Sequence, residues 1–302
     1  VSQIKNLTNY VFIIYQELTG KKFSEYTVDF YPGDYLVPVA QHFASTYNSK
    51  LLEMNDEERF LLIKPFTINF MMNLIKEDLA AISIHQDIFI SEQDLVSNGK
   101  IDEAIKALKK SNLIYEGVLE PPKGKKPDDW EPRPQMLFKS TKYGDEVDRP
   151  LQKSNKEWTY FANDIAYHFD KYQRGSNHLV DILGADHGGY VKRMTAAVAA
   201  LSDNKASFTA KLCQMVKLTR NGKQIKMSKR SGEFITLREV IDEVGSDSIR
   251  FMMLYRKNEA PLEFDFTKVT EQSKDNPVFY VQYAHARISS VISKLNENNF
   301  SH

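Results

Sequence analysis

Apolar residues recur at Ile4, Leu7, Val11, Ile14 and Leu18, the spacing of one helical face, and Gly20 stands where such a helix would stop. Pro32 and Gly33 predict a turn, with Asp34 opening the next helix. Residues 55–84 carry a helical pattern in two pieces, with Pro65 as a break or bend between them. Residues 85–95 (HQDIFISEQDL) alternate briefly as a strand does, and 102–117 (DEAIKALKKSNLIYEG) read as a helix followed by a short strand. Residues 121–134 hold five of the eleven prolines and read as a loop or hairpin tip. No domain boundary is placed there, because the strand-like run MLFKST (136–141) follows at once.

From Trp158 the pattern is more regular. Residues 158–172 are helical, HLVDILGAD (178–186) is an apolar strand ending in a glycine-containing turn, 190–201 are helical, and FTAKLCQMVKL (208–218) is a second strand. Strand and helix alternating at this spacing argue for a parallel sheet with helices on its faces, which takes ligands at the carboxyl ends of its strands. Further on, TLREVIDEVG (236–245) is a helix with Thr236 as N-cap and Gly245 as stop, and DSIRFMMLYRK (247–257) is another. Asn276 and Pro277 form a cap and first-turn pair for a helix over 276–295, the start of a helical module. The chain shows no internal repeat and no low-complexity tract.

Composition narrows the classes. At 302 residues and 34.8 kDa the chain can fill one large domain or two smaller ones. Its 42% hydrophobic and 26% charged residues argue against disorder and against a fibrous protein. No apolar run approaches the roughly 20 residues that cross a bilayer, and the first residues lack a secretory pattern, so the expectation is a cytoplasmic protein without a membrane partner. Cys213 is the only cysteine, which excludes an internal disulfide and a multi-cysteine zinc site; no structural metal is expected. Basic and acidic residues balance at 40 each, yet no acidic residue lies between Asp203 and Glu233. Lys205, Lys211, Lys217, Arg220, Lys223, Lys226, Lys229 and Arg230 all fall in that window. If they share a face they present a positive field to a polyanion; otherwise they are a solvated surface.

Two segments carry recognisable chemistry. In 226–232 (KMSKRSG), ammonium groups on a short loop can close over a triphosphate and stabilise the charge that passes to departing pyrophosphate. Lys226 and Lys229 are the candidates, and the neighbouring serine and glycine let the backbone N–H groups come close. LGADHGG (183–189) follows a strand and precedes a helix, where an α/β sheet binds a nucleotide. Asp186 can accept from a ribose hydroxyl, His187 can approach the adenine or the phosphates, and Gly184 and Gly188 permit close approach. A metal pair or a helix cap is the alternative for Asp186 and His187.

With these residues in place, the chain resembles the class I aminoacyl-tRNA synthetases. Their second signature is Lys-Met-Ser-Lys-Ser, here Lys226-Met227-Ser228-Lys229-Arg230, with Arg230 departing from the final serine. The form Lys-Met-Ser-Lys-Arg-x-Gly resembles the arginyl member of the class. The strings TKYGDEVDRPL, WTYFANDIAYHFDKYQRG, LGADHGGYVKRM, EVGSDSIRFMMLYR and NPVFYVQYAHAR are similar to the bacterial type. The resemblance implies a Rossmann-like α/β catalytic domain over 1–270, with an insertion-like region at about 20–135, followed over 271–302 by the first helix of an α-helical anticodon-binding domain. It implies ATP-dependent joining of L-arginine to arginine tRNA through an arginyl-adenylate, by a monomer, with Mg2+ carried on the ATP. Lys226, Met227, Ser228 and Lys229 would serve the nucleotide together with Gly184, Asp186 and His187, and Lys226 and Lys229 would be catalytic.

An arginine pocket can be judged on its own chemistry. A guanidinium is a planar fork of five donors, so its site needs carboxylates and a flat wall. Tyr160 and Asp164, spaced i, i+4, share one face of their helix; without the resemblance they would read as a surface pair. The resemblance assigns Tyr160, Asp164 and Glu92 to the guanidinium, and Gln3 to what remains of the substrate site near the beginning of the chain. The His-x-Gly-His signature of the class does not occur here: Phe-Ala-Ser follows His42, and Gly-Gly-Tyr follows His187. The expectation is therefore a fragment that begins after that signature and is inactive alone. Two alternatives stay open, a noncatalytic RNA-binding or interaction protein built on a synthetase scaffold, and a different adenylyl-transferring enzyme of the same fold.

Overall fold

The computed structural model describes residues 2–21, 33–119, 133–153, 155–225, 227 and 234–297. They fall into two compact units, one drawn from 1–85, 217–256 and 263–302, the other from 86–216 and 257–262. Among the described residues no helix is long and apolar enough to cross a membrane.

The first unit opens with helices α1 (Ser2–Leu18), α2 (Val37–Tyr47) and α3 (Asp56–Ala81). Their apolar stripes meet in a core of Val11, Ile14, Tyr15, Leu36, Val39, Ala40, Phe43, Leu51 and Ile63. Gly20, at φ +84°, ends α1 in the left-handed region that favours glycine. Asn55 and Glu58 form a reciprocal capping box at the start of α3. Of the break or bend expected at Pro65, a break does not occur: α3 runs through it for 26 residues. Pro65 and Leu61 both lie on the solvent face, so the Leu61 carbonyl that loses its helical donor is left to water.

The second unit begins with α4 (Glu92–Ser97) and α5 (Lys100–Lys110). The strand expected over 85–95 is absent. Ile88, Phe89 and Ile90 are exposed, and α4 begins at Glu92 on the Ser91 cap, whose hydroxyl accepts from the Asp94 N–H. Strands β1 (Ile114–Gly117), β2 (Gln135–Phe138) and β3 (Arg149–Pro150) form an antiparallel sheet in that order. The proline-rich loop expected at 121–134 lies outside the described residues, except for Arg133 and Pro134. Next come α6 (Tyr160–Gln173), β4 (His178–Gly184), α7 (Val191–Ser202) and β5 (Ser207–Cys213). β4 and β5 pair in parallel from His178↔Ser207 to Gly184↔Cys213, and α7 joins them, so the expected strand–helix–strand unit is present. The helices pack around Phe138, Leu151, Ile165, Leu179, Met194 and Ala197.

The apolar run 208–218 forms two strands, not one: β5 ends at Cys213 and β6 (Val216–Arg220) belongs to another sheet. Asn258 holds the break, its carbonyl accepting from the Gln214 N–H at 2.8 Å and its amide donating to the Leu212 carbonyl at 2.9 Å. β6 lies between β7 (Lys223–Gln224) and β8 (Leu262–Asp265). Helices α8 (Leu237–Val244), α9 (Ser246–Tyr255), α10 (Phe266–Thr270) and α11 (Pro277–Glu297) are the remaining elements among the described residues. Thr236 caps α8 in a capping box with Glu239, and the Asn276 side chain accepts from the Val278 N–H while donating to the Val269 and Glu271 carbonyls.

Asp265 ties β8, α10 and the β6–β7 turn together. Its buried carboxylate accepts from the N–H groups of Gly222, Thr267 and Lys268 and from the Thr219 hydroxyl. Burial pushes its pKa up, but these donors outweigh burial and hold it below the usual carboxylate range. Asp265→Ala takes the shared acceptor from four donors at once and is expected to cost roughly 2–4 kcal/mol, read as a lowered denaturation midpoint. Because the folded pKa is depressed, this stabilisation is present above the ordinary carboxylate pKa and lost as pH falls through the folded value. The wild type should therefore lose more stability on acidification than the variant does.

Candidate active site

α6 is the element on which the site is built. The Thr159 hydroxyl caps its start by accepting from the Ala162 N–H, and Phe161, Ala162, Ile165 and Ala166 turn into the core. Tyr160, Asp164, His168 and Lys171 recur at helical spacing along one stripe. Asp181, on β4, meets that stripe: its carboxylate accepts from Lys171 Nζ at 3.0 Å and lies 2.8 Å from His168 Nε2. Burial pushes Asp181 up, yet His168 first and then Lys171 lower its pKa to about 2. The other ring nitrogen of His168, Nδ1, is 2.7 Å from the Asp164 carbonyl.

One turn earlier, the half-buried Asp164 carboxylate lies beside the hydroxyl of Tyr190, which ends a short 3-10 helix over Ala185–Tyr190. Burial raises the pKa of Asp164 and the nearby Glu92 and Asp181 raise it further; the Tyr190 hydrogen bond and His168 oppose them, and the net direction is up. Tyr190 is also pushed up, by burial and then by Asp164. Glu92 reaches the same place from α4, its Oε1 accepting from the Asn163 amide at 2.8 Å. Among the described residues neither Glu92 nor Asp164 has a lysine, arginine or histidine within ion-pair distance, whereas Asp181 has Lys171 and the His168 ring.

The structure brings some of the expected residues together and leaves others apart. Glu92 and Asp164 converge through Asn163 and Tyr190. Gly184, Asp186 and His187 stand at the carboxyl end of β4, with Asp186 85% and His187 55% exposed in their side chains. A Cβ on Gly184 would lie 2.6 Å from Oδ1 of the exposed Asp186 side chain, which is free to turn aside, and Gly188 is open, its nearest neighbour being Leu212 at 3.8 Å. The His187 ring stands edge-on to Tyr190, centroids 6.5 Å apart, which joins the glycine-rich segment to the neighbourhood of the carboxylates. Tyr160 does not close over Asp164. As the first residue of α6 it is 79% exposed, with Lys153 Nζ 5.6 Å from its ring centroid. Gln3, exposed on α1, and Met227, also exposed, belong to the other unit. Lys226, Ser228, Lys229 and Arg230 lie outside the described residues.

Arginine–tRNA ligases of Rhizobium etli and Brucella anthropi are 55% and 56% identical to this chain over 298 and 292 residues, 98% and 96% of its length. The chain belongs to the arginyl-tRNA synthetase family. It spans about half the length of those curated relatives, 51% and 50%. A solved structure described as an arginyl-tRNA synthetase of Campylobacter jejuni matches with a TM-score of 0.81 at 32% identity, covering 98% of this chain and 61% of that one. The Thermus thermophilus arginyl-tRNA synthetase matches at 0.61 and 16% identity, over 97% and 60%, which speaks for the fold alone. No family model matches the chain. The parallel β4–β5 pair with its helices is thus the α/β architecture of a synthetase catalytic domain.

Tyr190, Asn163, His168 and Asp181 surround the candidate carboxylates and were not singled out from the sequence. The available signal was the helical spacing of 164, 168 and 171 and the position of Tyr190 directly after the glycine-rich segment. The cationic window between Asp203 and Glu233 is not an uncompensated run. Lys205 and Lys211 lie in one unit and Lys217, Arg220 and Lys223 in the other, and Arg220 is forked onto Glu243 at 2.5 and 2.8 Å. Among the described residues no group of three or more His, Cys, Asp or Glu side chains could hold a metal ion.

The pKa of Asp181 carries a stability consequence. A fall from the ordinary 3.8 to about 2 corresponds to roughly 2.5 kcal/mol, present above the unfolded value and lost as pH drops through the folded one. Denaturation of the wild type should show this loss between about pH 4 and pH 2, and Asp181→Asn, which cannot ionise, should lack that component.

Proposed function

We propose that this chain supplies the arginine-binding and part of the nucleotide-binding surface of an arginine–tRNA ligase. The observation that carries the reading is the pair Glu92 and Asp164. These two carboxylates are held by neutral donors, the Asn163 amide and the Tyr190 hydroxyl, beside an exposed Asp-His segment at the carboxyl end of a parallel strand. Two such carboxylates suit a planar, multiply donating cation, and the strand end suits a nucleotide. Gly184, Asp186 and His187 would take the ribose and adenine of ATP, with Mg2+ arriving on the nucleotide as substrate. Tyr160, exposed at the start of α6, has room for a guanidinium against its ring.

In this reading the arginine carboxylate attacks the α-phosphate of ATP, releasing pyrophosphate and forming the adenylate. A terminal ribose hydroxyl of arginine tRNA then attacks the aminoacyl carbonyl and AMP leaves. Neither step requires a protein nucleophile. Positioning by Asp164 and Glu92, and charge stabilisation by Lys226 and Lys229, supply the catalysis. Met227 and Ser228 complete the nucleotide-side loop, and Gln3 adds to the substrate site. Residues 1–270 are read as catalytic domain and 271–302 as the first helix of the anticodon-binding domain, in a cytoplasmic monomer.

The test is arginine-dependent ATP–pyrophosphate exchange with arginine tRNA present, on this chain and on one extended at its amino end. The short chain is expected to be inactive and the long one active. Lys229→Ala in the long form should lower exchange by about 100-fold with tRNA retained, the scale of a lost charge-stabilising contact. Asp164→Asn should weaken arginine binding by about 30-fold or more, the scale of a truncated buried charge partner. Exchange in the short chain would refute its dependence on the extension. An extended form that binds tRNA without exchange would favour a noncatalytic RNA-binding role.

A further inference from the structure

The hydrogen bonds around His168 determine its protonation. The ring is 2% exposed in its side chain and touches two oxygens. Nδ1 is 2.7 Å from the Asp164 carbonyl, which has no proton to give, so Nδ1 must carry one. Nε2 is 2.8 Å from Asp181 Oδ2, and the other oxygen of that carboxylate is held 3.0 Å from the Lys171 ammonium. A carboxylate facing an ammonium is an acceptor as well, so Nε2 must also donate. A neutral ring has only one N–H and would turn a lone pair toward one of these oxygens.

The surroundings fit a cation. Asp181 faces the ring from β4, and Asp164 and Lys171 come from its own helix. β5 contributes the edge of Phe208, centroids 5.4 Å apart at 75°, and the Tyr167 ring lies 5.7 Å away at 68°. On α5, Lys100 is engaged with Glu103 and Asp170. On α4, Glu92 meets Asn163, and on α7 Arg193 acts on Tyr190.

We propose that His168 is a buried imidazolium whose charge, one helical turn from Asp164, favours the ionised form of that carboxylate, making His168 a positioning residue for a cationic substrate. It does not touch that substrate; it acts through the Asp164 carbonyl and through space across one helical turn. The arrangement leaves the carboxylate oxygens to the neutral Tyr190 hydroxyl, so a positive charge is supplied without a resident ion pair blocking the site. The significance for arginine rests on the ligase reading above; the protonation state does not.

Two ligand-free measurements on the whole chain test this. Long-range proton–nitrogen correlation spectra of 15N-labelled chain at neutral pH, assigned with His168→Gln, are expected to show both His168 nitrogens in the protonated range. One unprotonated nitrogen would overturn the proposal. The 13Cγ titration of Asp164, assigned with Asp164→Asn, is expected to move to higher pH in His168→Gln; an unmoved midpoint in the folded variant would overturn the electrostatic role. Should His168→Gln not fold, the wild-type nitrogen spectrum, assigned through the ring contacts of His168 with Tyr167 and Phe208, still decides the protonation state. Neither measurement contains substrate, so failed pyrophosphate exchange leaves them intact, and a neutral His168 leaves the ligase reading standing.

Discussion

A carboxylate withdrawn from water at Asp181 obliges its neighbours to supply donors, and that obligation sets how α6 lies on β4. Leaving the charge unmatched would cost several kcal/mol. His168 and Lys171, three apart on α6, meet it together. The same helical period puts Tyr160 and Asp164 on their stripe and turns Ile165 and Ala166 toward the core, so one contact fixes both faces of the helix. It also fixes direction. His168 pairs with mid-strand Asp181 while Asp164, one turn earlier, meets Tyr190 beyond the strand end, so the receptive part of α6 arrives at the carboxyl end of β4.

The acidic groups here divide into two kinds by their partners. Asp181 is matched by charge and stays ionised far into acid, a structural ion pair with little left to offer. Asp164 and Glu92 are held only by a phenol and an amide. Neutral donors fix a carboxylate in place without cancelling its charge, so these two retain attraction for an incoming cation. Residues of the same type thus serve stability in one case and, in the proposed function, reception in the other.

What could be read from the chain was whatever local period and local capping decide. α1, α6, α7 and α8 fell where their apolar spacing put them, and the Thr236 and Asn276 caps and the Gly20 and Gly245 stops lay in the residues themselves. The errors came where a partner decides. Pro65 is tolerated because its face is wet, residues 85–91 have alternation but no neighbouring strand among the described residues, and the run 208–218 is cut by Asn258 from a distant part of the chain. The site divides similarly. Asp164 and Glu92 came from a family resemblance, while Tyr190, His168 and Asp181 join α6 to β4 and to the segment after it, a relation that spacing along one helix cannot express.

The receptive carboxylate faces conflicting demands. Burial at Asp164 sharpens recognition by excluding water, yet the same burial favours the protonated form, which could no longer accept a full fork of donors. Pairing it directly with a lysine or arginine would keep it ionised and also fill it. A cation displaced by one helical turn satisfies both demands, because Coulomb attraction falls slowly with distance in a poorly screened interior while hydrogen bonding does not extend beyond contact. His168 occupies that position, and its own charge is secured by Asp181 and not by Asp164, so filling the site with a cation need not release it. A structural ion pair and a binding carboxylate, separate in their contacts, are in this way electrostatically one device.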